Sequence, residues 1–190
     1  MIKTARPIEF YKVKEIRTIL QLLFPNEALV NYASQHEKGS TYGTNIHQQV
    51  SSIIPLREDM ERLGLLEYWL HTVLIVSSSE VGLHGDGADY SYSIVFPVWN
   101  TENTITEFYE SSAPPVDVTM EQEGTYFVYH GYDMSKCSLI DSVEILKPTI
   151  INTDTPHRVV HKPGSGLRMT AALRLFNKGA VEKVLEKLYA

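Results

Sequence analysis

The segment Leu83-His84-Gly85-Asp86-Gly87 carries an imidazole and a carboxylate two residues apart. On an extended backbone, residues i and i+2 point to the same side, so His84 and Asp86 can be offered to one point. Gly85 crowds nothing between them, and Gly87 lets the chain turn away. A second imidazole, His157, opens the β-branched run His157-Arg158-Val159-Val160 just after Pro156. Two histidines and one carboxylate form the donor face of a ferrous site that keeps open positions for substrate and oxygen. Zn²⁺ accepts the same three donors. Taken alone, His84-Gly85-Asp86 also reads as an Asx-type turn in a glycine-rich loop, so the metal reading needs His157. His161 competes with His157 for the third position. Four residues along a strand span ~13 Å, so both cannot serve one ion without a bulge. The Pro-turn setting favours His157. Asp89 is a less well spaced substitute for Asp86.

Arg168 lies 11 residues beyond His157, in Leu167-Arg168-Met169-Thr170. A short hairpin through Pro163-Gly164-Ser165-Gly166 is expected to bring its strand beside that of His157. Arg168 and Thr170 then share a face. The arginine presents a planar fork for a carboxylate and the threonine a hydroxyl donor. Arg174 shares that face too, and reads either as a substrate-side group or as a salt bridge at the strand end.

These groups need elements to position them. Ile16, Ile19, Leu20 and Leu23 follow the i, i+3, i+4, i+7 spacing of one helix face, ended by Pro25. A helix capped by Asn26 follows, then a polar, glycine-containing loop over 37–45, then a helix starting near Pro55 with Leu56, Met60 and Leu63 as its stripe and Gly64 as its C-terminal cap. From about Tyr68 the chain turns β-branched and alternating. Strands are expected over 71–76, 90–96, 104–109, 125–129, 142–146, 157–160 and 167–175. Tyr90, Tyr92, Ile94 and Phe96 share a face. No helical crossovers separate these strands, which indicates an antiparallel sandwich or jelly roll. Val181, Val184, Leu185 and Leu188 mark a closing helix. The expected architecture is mainly β with flanking helices (α+β), a single domain over 1–190. It comprises helical support over about 1–67, a jelly-roll core over about 68–176 and a C-terminal helix over about 178–189.

The ordered set His84-Gly85-Asp86, His157 and Arg168-Met169-Thr170 resembles the pattern of the 2-oxoglutarate/Fe(II) oxygenase superfamily. The strand-rich stretch from about Thr72 to Phe176 matches the element order of that family's double-stranded β-helix. The resemblance implies Fe(II) on His84, Asp86 and His157, with the 2-oxo acid end of 2-oxoglutarate chelating it. The far carboxylate would pair with Arg168 and Thr170. It implies a dioxygenase that forms succinate while hydroxylating or demethylating a small organic molecule or a peptide. Asp86 argues against halogenation, because relatives that halogenate lack the carboxylate. The Arg168–Arg174 spacing also resembles nucleic-acid demethylating members, but the Asn-x-Tyr segment expected before their His-x-Asp is absent.

Charge agrees with that exclusion. Lys plus Arg total 17 and Asp plus Glu 23, a formal charge of −6, whereas a nucleic-acid grip needs a basic surplus. Cys137 is the only cysteine, so no disulfide or thiolate cluster forms within the chain. No apolar run reaches a membrane span, and a cytoplasmic protein without a membrane partner is expected. Oligomeric state is open. Two other functions fit the same residues: a catalytically silent cupin-like binding protein, and a zinc hydrolase on His84, Asp86 and His157. Arg168 and Thr170 speak against the hydrolase, which has no use for a carboxylate clamp beside its metal.

Overall fold

The computed structural model describes residues 2–25, 41–86, 91–122 and 125–190. Two six-stranded antiparallel sheets form its body. The first contains β1 (Ala5–Pro7), β2 (Thr41–Asn45), β3 (Trp69–Ser77), β5 (Tyr92–Trp99), β10 (Thr149–Asn152) and β12 (Arg168–Leu175), in the order β1-β10-β5-β12-β3-β2. The second contains β4 (Val81–Gly85), β6 (Thr104–Ser111), β7 (Val116–Gln122), β8 (Thr125–Gly131), β9 (Cys137–Val143) and β11 (His157–His161), in the order β7-β8-β4-β11-β6-β9. From β3 to β6, and again from β9 to β12, the chain changes sheet at every strand. That alternation is a double-stranded β-helix, with the β7–β8 hairpin added beside β4.

Side-chain alternation explains why the first sheet has two different faces. Along β12, Met169, Ala171, Leu173 and Leu175 join a large cluster with Tyr92, Ile94, Phe96 and Val98 of β5. The same cluster takes Ile16 and Leu20 of α1 (Val13–Leu23), Val50 of α2 (His47–Val50), Leu56 and Met60 of α3 (Ile54–Arg62), and Val181 and Leu185 of α4 (Lys178–Leu188). Each fully buried side chain of this size contributes roughly 1.5–3 kcal/mol, so the helical layer holds this sheet firmly. The intervening residues Arg168, Thr170, Ala172 and Arg174 face the other sheet. Val95, Phe108, Ile145 and Ile151 make a smaller cluster joining the two sheets. No described helix is long and apolar enough to cross a membrane.

Several expectations change. Residues 41–45 are not loop; they form β2 and pair with β3 from Thr41↔Ser77 to Asn45↔Val73. Residues 37–40, the helix capped by Asn26, Asp89 and Tyr90 lie outside the described residues. The strand expected over 142–146 is β9, Cys137–Val143, displaced towards the N-terminus. The strands of Arg168 and His157 are not neighbours. β11 pairs with β4 and β6, whereas β12 pairs with β3 and β5 in the opposite sheet. The turn after His161 therefore crosses between sheets, and Arg168 faces the strands of His84 and His157 across the barrel. Pro97 sits inside β5, where it removes a ladder donor; the register shift between Met169 and Thr170 falls opposite it.

Candidate metal centre

Antiparallel pairing sets His157 of β11 directly opposite His84 of β4. Directly opposed residues have Cα atoms about 4.5–5.5 Å apart, close enough for both imidazoles to reach one ion. The ring centroids are 4.5 Å apart. Asp86 follows β4, and its backbone N–H donates to Thr153 O at 3.1 Å, which ties the carboxylate to the loop after β10. Ligand atoms of His84, Asp86 and His157 all lie within 4.8 Å of one another.

The tautomers follow from the partners. His84 Nδ1 lies 2.7 Å from Gly82 O, and His157 Nδ1 lies 2.9 Å from Thr155 O. A carbonyl only accepts, so each Nδ1 carries the proton and each Nε2 keeps its lone pair for a cation. His84 Nε2 is 3.8 Å from Asp86 Oδ1. Phe108 packs on His157 with centroids 5.9 Å apart, and Tyr129 meets His84 edge-on at 6.1 Å.

Burial, with the charge of neighbouring His84, pushes His157 down to about 3; burial also lowers His84. Both imidazoles are therefore neutral at pH 7, ready to ligate without releasing a proton. A folded-state pKa below the unfolded value means the unfolded chain binds more protons in acid. The metal-free protein should thus lose stability as pH falls below the ordinary histidine range, about 6.5, towards 3. Thermal melts with chelator between pH 7.5 and 5 check this, and His157→Leu is expected to flatten the slope.

Arg174 resolves its two readings by pairing with Asp86: its Nη1 binds Asp86 Oδ2 and donates to Ser93 Oγ at 3.2 Å. It is opposite Ser93 in the β5–β12 ladder, so the contact is built into the strand register. Burial lowers Arg174 to about 10, which leaves it cationic at neutral pH. The guanidinium holds one carboxylate oxygen of Asp86 and leaves the other towards the histidines. Removing one partner of a mostly buried pair costs about 3–5 kcal/mol, and each kcal/mol moves Tm by about 2–4 °C at this size. Arg174→Met should therefore lower the Tm of the metal-free protein by about 10 °C. Added Mn²⁺ should narrow the gap in the same melts, because a bound cation supplies Asp86 with a replacement charge.

Arg168 and Thr170 lie further along β12, opposite Ser77 and Ile75 of β3. Arg168 is 3% exposed and Thr170 is 0% exposed. Arg168 Nε and Thr170 Oγ1 are buried with no hydrogen-bond partner among the described residues. Buried donors are almost always satisfied, so this pair points to an absent acceptor. A carboxylate fits it.

No family model matches the chain, and no curated protein matches it. Among solved structures, ycfD of E. coli is similar with a TM-score of 0.44 and 13% identity, over 81% of this chain and 40% of that one. The chain thus spans two fifths of the length of ycfD. A Pseudomonas putida prolyl-4-hydroxylase is similar with a TM-score of 0.42 and 12% identity, over 91% of this chain and 92% of that one. Similarity at this level defines neither chemistry nor substrate.

His161, set aside in favour of His157, lies on the same face of β11 and is held by Ser77 and Ser165. Ser77 carried no signal in the sequence. Only its ladder position opposite Arg168 brings it to the site. The partner of Arg174 was equally hidden, although its face was readable from its spacing to Arg168.

Proposed function

We propose that the protein is a non-haem iron, 2-oxoglutarate-dependent oxygenase that hydroxylates or demethylates a small organic molecule or a peptide. One observation carries the reading. The convergent donors of His84, Asp86 and His157 share a barrel interior with an arginine and a threonine whose buried Nε and Oγ1 have no partner among the described residues. A metal-binding protein without turnover, or a hydrolase, has no need for that second pair.

In this reading His84 and His157 hold the ion through Nε2 and Asp86 through the oxygen not taken by Arg174. When bound, Fe(II) with 2-oxoglutarate supplies oxygen activation coupled to loss of CO₂ and formation of succinate. Arg168 and Thr170 orient the co-substrate by its far carboxylate. Burial lowers Arg168 only to about 10, so it stays cationic for that task. Phe108 and Tyr129 shield the imidazoles from water on the sheet side.

Anaerobic addition of Fe(II) and 2-oxoglutarate should produce the weak visible charge-transfer band of the chelate. Exposure to air should then give slow, uncoupled succinate formation. Absence of both the band and succinate would falsify the reading. Hydrolytic turnover with Zn²⁺ would replace it.

A further inference from the structure

A polar cluster lies at the end of β11 remote from His157. His161 Nε2 lies 3.0 Å from Ser77 Oγ, and its Nδ1 lies 3.1 Å from Ser165 Oγ. The imidazole therefore bridges the two sheets, since β11 belongs to one and Ser77, on β3, to the other. Ser77 is 1% exposed and stands directly opposite Arg168. Burial and the nearby charge of Arg168 both lower His161, so the ring is neutral beside the guanidinium. Arg168 Nε and Thr170 Oγ1, buried and without a partner among the described residues, give this end of the barrel its ligand-seeking donors.

We propose that His161, clamped between Ser77 and Ser165, is the end-stop of the carboxylate pocket and sets the length of 2-oxo acid the site accepts. This rests on the oxygenase reading above. A dicarboxylate is held at both ends, by the metal and by Arg168 with Thr170, and the strands fix the span between them. His161 stands beside Arg168, because its partner Ser77 lies directly opposite Arg168 in the β3–β12 ladder. It cannot swing aside without giving up its bond to a buried hydroxyl. An acid longer by one methylene must displace it, and a single methylene in a closed pocket is discriminated by about 10- to 200-fold. The neutral ring adds no second positive charge, so this end of the pocket matches one carboxylate.

The test is a binding titration that needs no turnover. Anaerobic Fe(II)-loaded protein is titrated with 2-oxoglutarate and with 2-oxoadipate, its homologue with one more methylene, following the charge-transfer band. The wild type should prefer 2-oxoglutarate by about tenfold or more. His161→Ala should reduce that preference about tenfold, chiefly by improving 2-oxoadipate, with Fe(II) affinity unchanged. His161→Gln, which can still bridge the two serines, should keep the wild-type ratio. Ser165→Ala loosens the clamp at a half-buried turn position and should lower the ratio several-fold even if His161→Ala fails to fold. An unchanged ratio in His161→Ala and Ser165→Ala alike, or equal weakening of both acids, overturns the end-stop and leaves the oxygenase reading standing. A wild type that shows no band with either acid overturns the oxygenase reading itself.

Discussion

Asp86→Ala should abolish divalent-metal binding and lower metal-dependent turnover by about 10³-fold or more, since a catalytic ion supplies several kcal/mol of transition-state stabilisation. Asp86 offers the negative donor of the triad, and neither His84 nor His157 can replace it, because both are neutral. The same substitution strands Arg174 without its carboxylate, so the variant is also expected to melt earlier. Metal affinity must therefore be measured at a temperature where circular dichroism shows a folded protein. His84→Ala should remove metal binding likewise, without disturbing the Arg174–Asp86 pair. An Asp86→Ala protein that is folded and still binds Fe(II) or Mn²⁺ with wild-type affinity would return His84-Gly85-Asp86 to a simple turn.

Arg168→Met should act in opposite directions on binding and on stability. Truncating one partner of a buried charge pair costs about 2–5 kcal/mol of affinity, so 2-oxoglutarate should bind about 30- to 4,000-fold more weakly. Fe(II) binding should be spared, because Arg168 touches none of the three ligands. Without its co-substrate, however, Arg168 is a buried cation whose Nε has no partner among the described residues. Replacing it by an apolar side chain of similar length removes that cost, so the apo protein should melt no lower than wild type, and higher if packing is preserved. Calorimetric titration and a thermal melt on one preparation test both halves. A weakened apo protein with unchanged co-substrate affinity would make Arg168 a structural residue.

Much of the site was readable because local chemistry carries it. The parity of His84 and Asp86 on an extended backbone needs no tertiary information, and neither does the shared face of Arg168, Thr170 and Arg174. The helix faces of Ile16 and Leu20, and of Val181 and Leu185, follow from the 3.6-residue period, and both pairs are buried. Antiparallel character followed from short alternating runs without crossover helices, but strand number did not: seven strands are expected and twelve form, and β4, which carries His84, is among the five that short or glycine-containing runs did not announce. The hairpin drawn between His157 and Arg168 did not survive. A short polar turn looks the same whether it joins partners in one sheet or crosses to the other.

The amino-acid sequence by itself determined which side chains exist to do chemistry, which face each one takes along its own strand, and that the strands would stack as a sandwich. Only the tertiary structure decided that His84 faces His157, that Arg174 holds Asp86 and that Ser77 stands beside Arg168 under His161. The physical reason is range. Periodicity is set by the backbone within a few residues. Strand partnership depends on how every apolar face is buried at once, and a fold that changes sheet at each strand separates neighbours in sequence and brings distant ones together.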